Sequence, residues 1–159
     1  MTIDELDARL IATLREQPRV GLLEVARQLG VARGTVQARL SKLEARGVIT
    51  GFGPEVDPAA MGYGIQAFVL LELAQGRLAE ATAALRDVPE VIEADAISGP
   101  QDLLCRLVAR DTEHLQEVVN QLLATTAIRR STSYIVLSQQ VRPRTGPLVE
   151  SAGAGASRG

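Results

Sequence analysis

The chain has 159 residues, 46% apolar and only 3% aromatic, enough for one medium domain or two small ones with cores of Leu, Val, Ile and Ala. No apolar run reaches the roughly 18 residues of a membrane span, and the acidic opening Asp4, Glu5 and Asp7 does not read as an export leader, so a soluble, cytoplasmic protein is expected. The lone Cys105 excludes an internal disulfide and any multi-cysteine metal site, and a net charge of −2 argues against a surface that binds polyanions everywhere. The charge is uneven: residues 1–50 carry eight basic and six acidic side chains, and residues 51–159 carry nine and thirteen.

Ile3, Leu6, Leu10 and Leu14 follow the helical period, which predicts a first helix over about 3–16, opened by a Thr2/Glu5 capping box and ended by Pro18. A second helix is predicted over 22–29, stopped by Gly30 in a left-handed conformation, with Ala26 small enough for a close helix crossing and Val31 as a plug. The third, over 33–46, buries Val36, Leu40 and Leu43 and ends at Gly47. Beside that apolar stripe Thr35, Arg39, Lys42 and Arg46 form a second one, and between 27 and 46 five basic residues face Glu44 alone. Such a stripe also suits an ordinary solvated face. Together with Ala26, Gly30, Val31 and Val36 it reads as a helix-turn-helix whose third helix enters a DNA groove, although Ala32 stands where a polar N-cap is usual. Arg33, Thr35, Gln37, Arg39, Lys42 and Arg46 are the candidate DNA contacts.

Val48–Val56 reads as a short strand or extended linker, with Pro54 and Pro58 forbidding a helix. Then come a strand over 65–73, a helix over 76–87, a strand over 91–97, a turn at Ser98–Gln101, a strand over 102–109, a helix capped by Asp111 or Thr112, and a strand over 132–137. The order β-α-β-β-α-β is that of a ferredoxin-like fold with two helices on one face of an antiparallel sheet. Phe68 and Leu70, with Leu104 or Cys105 and Ile135 or Leu137, would leave the other face apolar, which predicts a symmetric sheet-to-sheet dimer. His114 is expected on the surface and Cys105 in the core; residues 142–159, rich in Gly, Ser, Ala and Pro, are expected to be disordered.

Leu6-Asp7, Ala26–Val31, Val36–Gly51 (VQARLSKLEARGVITG), Met61-Gly62-Tyr63 and Arg130–Leu137 together resemble the Lrp/AsnC family of transcriptional regulators, over about residues 3–140. The expected fold is therefore α+β: a winged-type helix-turn-helix over 1–50, a linker over 51–64, and a ferredoxin-like effector-binding and oligomerisation domain over 65–141. The resemblance implies double-stranded DNA, a second copy of the chain and a small-molecule effector as partners, with assembly into dimers and often tetramers or octamers. It implies no cofactor, no membrane and no enzymatic activity. The implied effector, commonly an amino acid in this family, binds near the turn between the second and third sheet strands. Gly99 and Asp102 match the family's Gly-Asp-Tyr-Asp there, and Pro100 and Gln101 do not; Ala32-Arg33-Gly34 likewise replaces the usual Ser-Pro-Thr before the recognition helix.

Chemistry gives the same turn an independent rationale, since Gly99 can expose backbone amides to a carboxylate and Asp102 can receive an ammonium group, though an ordinary hairpin turn has the same composition. Gly99, Gln101, Asp102, Thr132 and Ser133 are the candidate effector contacts. Two alternatives share the build: a siroheme-decarboxylase-like enzyme of haem synthesis, which the single His disfavours, and a nucleoid-structuring protein with little sequence preference. No Gly-rich phosphate loop, Ser/His/Asp set or metal motif is present.

Overall fold

The computed structural model describes residues 3–156, in two units: one runs to Pro54 and takes in the chain again from Val141, and the other spans Glu55–Gln140. In the first unit, helix α1 (Glu5–Glu16) starts at Asp4, whose carboxylate accepts the Asp7 N–H at 2.8 Å while the Asp7 carboxylate accepts the Asp4 N–H at 3.3 Å. This reciprocal cap displaces the expected Thr2/Glu5 box: Glu5 is already the first helical residue, and Thr2 lies outside the described residues. Helix α2 (Leu22–Leu29) ends at Gly30, at φ 70°, and the Val31 N–H closes back on the Ala26 carbonyl at 3.0 Å. Helix α3 (Arg33–Ala45) follows Ala32, which supplies no side-chain cap, and Gly47 turns the chain away at φ 67°. Leu10, Val25, Val36 and Leu43, each at most 1% exposed, join Ile3, Ile11, Ala26, Leu29 and Leu40 in the core. The chain after Gly47 is extended, and no strand forms a wing on this unit among the described residues.

The expected disordered tail is instead a fourth helix, α6 (Gly146–Ala156), with Val149 and Ala152 packed on the same core. It approaches α1 so closely that a Cβ on Gly153 would lie 2.5 Å from the Ala8 Cβ, and Arg15 donates from Nη1 to Thr145 Oγ1 at 2.6 Å where the helix begins. The glycines and alanines that read as low complexity are what a small-residue helix surface can accept at such close range. Residues 157–159 lie outside the described residues.

The second unit contains β1 (Ile65–Leu73), α4 (Leu78–Arg86), β2 (Val91–Ala96), β3 (Leu103–Ala109), α5 (Thr112–Leu123) and β4 (Ile128–Ile135). The strands pair antiparallel in the order β2-β3-β1-β4, and the split βαβ arrangement is thereby realised. Ala67, Val69, Leu71, Leu103, Cys105, Leu107 and Ala109 face α4 and α5, meeting Ala81, Leu85, Leu115, Val118, Val119 and Leu122. β4 starts four residues before the predicted position because Ile128 enters the core. Pairing of Leu70 with Leu104 and of Val69 with Cys105 settles that Leu104 lies on the open face and Cys105 on the covered one. Ile135 pairs with Ala67 and so takes the covered side of an edge strand, Leu137 lies beyond the sheet, and Tyr134 stands beside Phe68 on the open face.

His114 is not on the surface. It is 8% exposed, its Nδ1 accepts the Arg110 N–H at 3.2 Å, and its Nε2 lies 3.3 Å from a Glu90 carboxylate oxygen. Asp111 caps α5 by accepting the His114 N–H at 2.8 Å, which orients the first turn so that the imidazole points inward.

Candidate nucleic-acid interface and effector turn

Burial of Val36, Leu40 and Leu43 fixes which way α3 faces. Arg33, Thr35, Gln37 and Lys42 are left exposed, and Arg46 is half-buried. Gln37 Nε2 reaches Ser41 Oγ at 3.5 Å along the helix surface. No side-chain cap occupies the N-terminus of α3, the end of a helix where backbone N–H groups favour an anion.

Arg39 departs from this group. Its Nη1 lies 2.6 Å from Asp4 Oδ2 and 2.7 Å from Asp7 Oδ1, and its side chain is 30% exposed. The two carboxylates that cap α1 therefore also hold the middle of α3. The Arg39 hydrogen bond keeps the Asp4 carboxyl below its usual range, and the Asp4 and Asp7 hydrogen bonds raise the guanidinium in turn. In the sequence these acids read only as complements to the dipole of the first helix; nothing local shows that α3 will pass over them. A second surface pair, Arg27 with Glu24, decorates α2 at 2.6 Å.

In the second unit the loop Ser98–Asp102 joins β2 to β3. Gly99 takes φ 137°, a conformation that disfavours any side chain. Asp102 ties this loop to the end of β1: its N–H donates to the Leu71 carbonyl at 2.9 Å, its Oδ2 accepts the Leu73 N–H at 2.7 Å, and its carbonyl accepts the Ile97 N–H at 3.0 Å. The carboxylate expected to receive a ligand's ammonium group thus already holds a backbone donor. Gln101, beside it, is half-buried. Thr132 pairs with Leu70 and Ser133 with Val69, so the two hydroxyls leave β4 on opposite faces and cannot both line one side of the sheet. Among the described residues no group of three or more His, Cys, Asp or Glu could hold a metal ion, and no helix is long and apolar enough to cross a membrane.

Comparison with known proteins bears on both units. Residues 3–44 match the AsnC-type helix-turn-helix domain, and residues 66–145 match the Lrp/AsnC ligand binding domain. The chain belongs to the Lrp/AsnC family. It is 33% identical over 120 residues to the HTH-type transcriptional regulator AldR of Mycolicibacterium smegmatis, covering 74% of this chain and 70% of that protein. It is 30% identical over 141 residues to the regulator Rv2324 of Mycobacterium tuberculosis, covering 87% and 95%. Both are named as regulators of transcription, the class that the residues favoured over a decarboxylase. Among solved structures, E. coli AsnC superposes with a TM-score of 0.85 at 28% identity, covering 92% of this chain and all of that one. The feast or famine regulatory protein Rv3291c of M. tuberculosis, complexed with L-methionine, superposes at 0.78 with 27% identity, covering 89% and 96%. This Lrp/AsnC chain is accordingly a DNA-binding transcriptional regulator with a ligand-binding domain.

Proposed function

We propose that the protein acts in the cytoplasm as a sheet-to-sheet dimer, or a tetramer or octamer built from it, that reads a pseudo-palindromic DNA site with paired α3 helices and is switched by an amino acid. Arg33, Thr35, Gln37 and Lys42 contact base edges and phosphates, and Arg46 meets a phosphate. Arg39 stays within the protein and holds α3 in place. Half-sites then lie about one helical turn, ~34 Å, or a multiple of it apart.

The observation that carries this reading is the exposed face of α3, which keeps Arg33, Thr35, Gln37 and Lys42 outward while Val36, Leu40 and Leu43 are buried. The effector reading rests on Gly99 at its positive φ and on Asp102 at the end of β1, with Gln101 and one of Thr132 and Ser133 as further contacts. The L-methionine complex of Rv3291c supports an amino acid as the ligand class.

Selection of bound fragments from genomic DNA, followed by footprinting, tests the first part. Discrete protected sites that Lys42→Ala weakens, with a shallower salt dependence, agree with it; broad protection without sites would favour a nucleoid-structuring protein. A thermal-shift screen of the amino acids tests the second, since a ligand of the native state raises the melting temperature. A rise that is absent in Asp102→Ala places the ligand at the turn.

A further inference from the structure

The open face of the sheet carries charged side chains among its apolar ones: Arg106 and Glu93, Asp95 beside Leu104, and Glu72 opposite Arg130. Register sets Glu93, Arg106, Phe68 and Tyr134 in a row across β2, β3, β1 and β4, with Asp95, Leu104, Leu70 and Thr132 in the next row. Arg106 donates from Nη2 to Glu93 at 2.7 Å. Its Nε, however, is shielded from solvent and has no acceptor, the one side-chain nitrogen or oxygen among the described residues in that position. A guanidinium N–H closed off from water and left unpaired is unfavourable, and native structures rarely retain one. The Glu93 side chain is still 51% exposed, and a carboxylate has lone pairs for several donors. Glu93 therefore keeps acceptors free on the open face, and Arg106, with its side chain 26% exposed, still reaches that face.

A two-fold axis brings the same patch to itself. A patch that sets a base beside an acid can then be self-complementary, because each base can meet the other copy's acid. We propose that Arg106 and Glu93 close a ring of four alternating charges with Glu93 of the partner subunit and Arg106 of the partner subunit, and that this ring decides which chains the open face accepts. The inference rests on the sheet-to-sheet dimer proposed above. The apolar neighbours supply affinity without discrimination. The ring supplies choice, since a related chain with like charges at these two places would bury an uncompensated pair.

The test uses the full-length chain in sedimentation velocity, with circular dichroism to confirm folding. Phe68→Asp should give monomers. Arg106→Glu and Glu93→Arg should each raise the dimer dissociation constant roughly 30-fold or more, the scale for one charge left unpaired in an interface. Mixing these two variants should restore pairing, because one chain then offers two acids and the other two bases. Arg106→Gln, which keeps the volume, should weaken the dimer about tenfold even if the reversals fold poorly. Single variants that dimerise like the wild type would overturn the inference. So would variants that stay monomeric when mixed while the double reversal in one chain dimerises, which would confine the pair to a single chain. A Phe68→Asp protein that remains dimeric would instead refute the sheet-face dimer itself.

Discussion

Replacing Arg39 by Met removes the cation that two carboxylates share and keeps most of the side chain's volume. Asp7 is only 10% exposed at its side chain, so it cannot simply turn to water, whereas Asp4 at 49% largely can. Breaking a fully buried pair costs about 3–5 kcal/mol and breaking an exposed one about 0–1 kcal/mol; this half-covered arrangement falls near 2 kcal/mol. For a unit of this size that is a drop of roughly 10 °C in melting temperature. The Asp4 carboxyl is held low in the folded state, so its stabilisation is complete above about pH 4 and is lost as pH falls through the lowered value. The wild type's advantage over Arg39→Met should accordingly be present at neutral pH and shrink in acid. Fluorescence anisotropy on a selected duplex separates this role from a DNA contact. Affinity should fall because α3 is no longer held, while the slope of log K against log salt is unchanged and Arg39→Lys recovers part of the loss. A variant that melts like the wild type and has a slope shallower by about 0.9 would show that Arg39 neutralises a phosphate, and the reasoning would fail.

Three further outcomes are expected. Hydrogen bonds from Arg27 and then Gln28 bring the Glu24 carboxyl down from 4.5 to about 2, so its contribution is present above pH 4.5 and lost toward pH 2; an NMR titration should show this, and Arg27→Ala should return it toward the ordinary value. Burial first, and the Asp95 charge second, push the Cys105 thiol up to about 11, so a thiol reagent at pH 8 should leave the native protein unmodified and label it fully in guanidinium. Gly153→Val should drive α6 off α1, because even a Cβ there lies 2.5 Å from Ala8; a loss of about 1–3 kcal/mol and faster hydrogen exchange in both helices would confirm it, and unchanged exchange would refute it.

Much of this protein was legible from local pattern. Gly30 and Gly47 take positive φ where the apolar period breaks, and α2 spans the predicted residues. β1 also spans the predicted residues, because every odd position from Ile65 to Leu73 is apolar while Gln66 and Glu72 mark the other face, which favours one orientation against a core. Each of these signals repeats within a few residues, so neighbouring side chains alone specify it. The partner of Arg39, the inward turn of His114 and the docking of α6 depend on groups far away in the chain. Arg39 reads as one more member of a basic stripe until α1 and α3 cross, and Gly153 as mere flexibility until Ala8 is placed opposite it. The period of apolar residues was enough to place α1 to α5 and the four strands, but not α6, nor the faces of Leu104 and Ile135, which a neighbouring strand has to fix. Which charged groups stay available for DNA is set by long-range packing, because it depends on which opposite charge the crossing of helices brings within hydrogen-bond reach, as Asp4 and Asp7 do for Arg39.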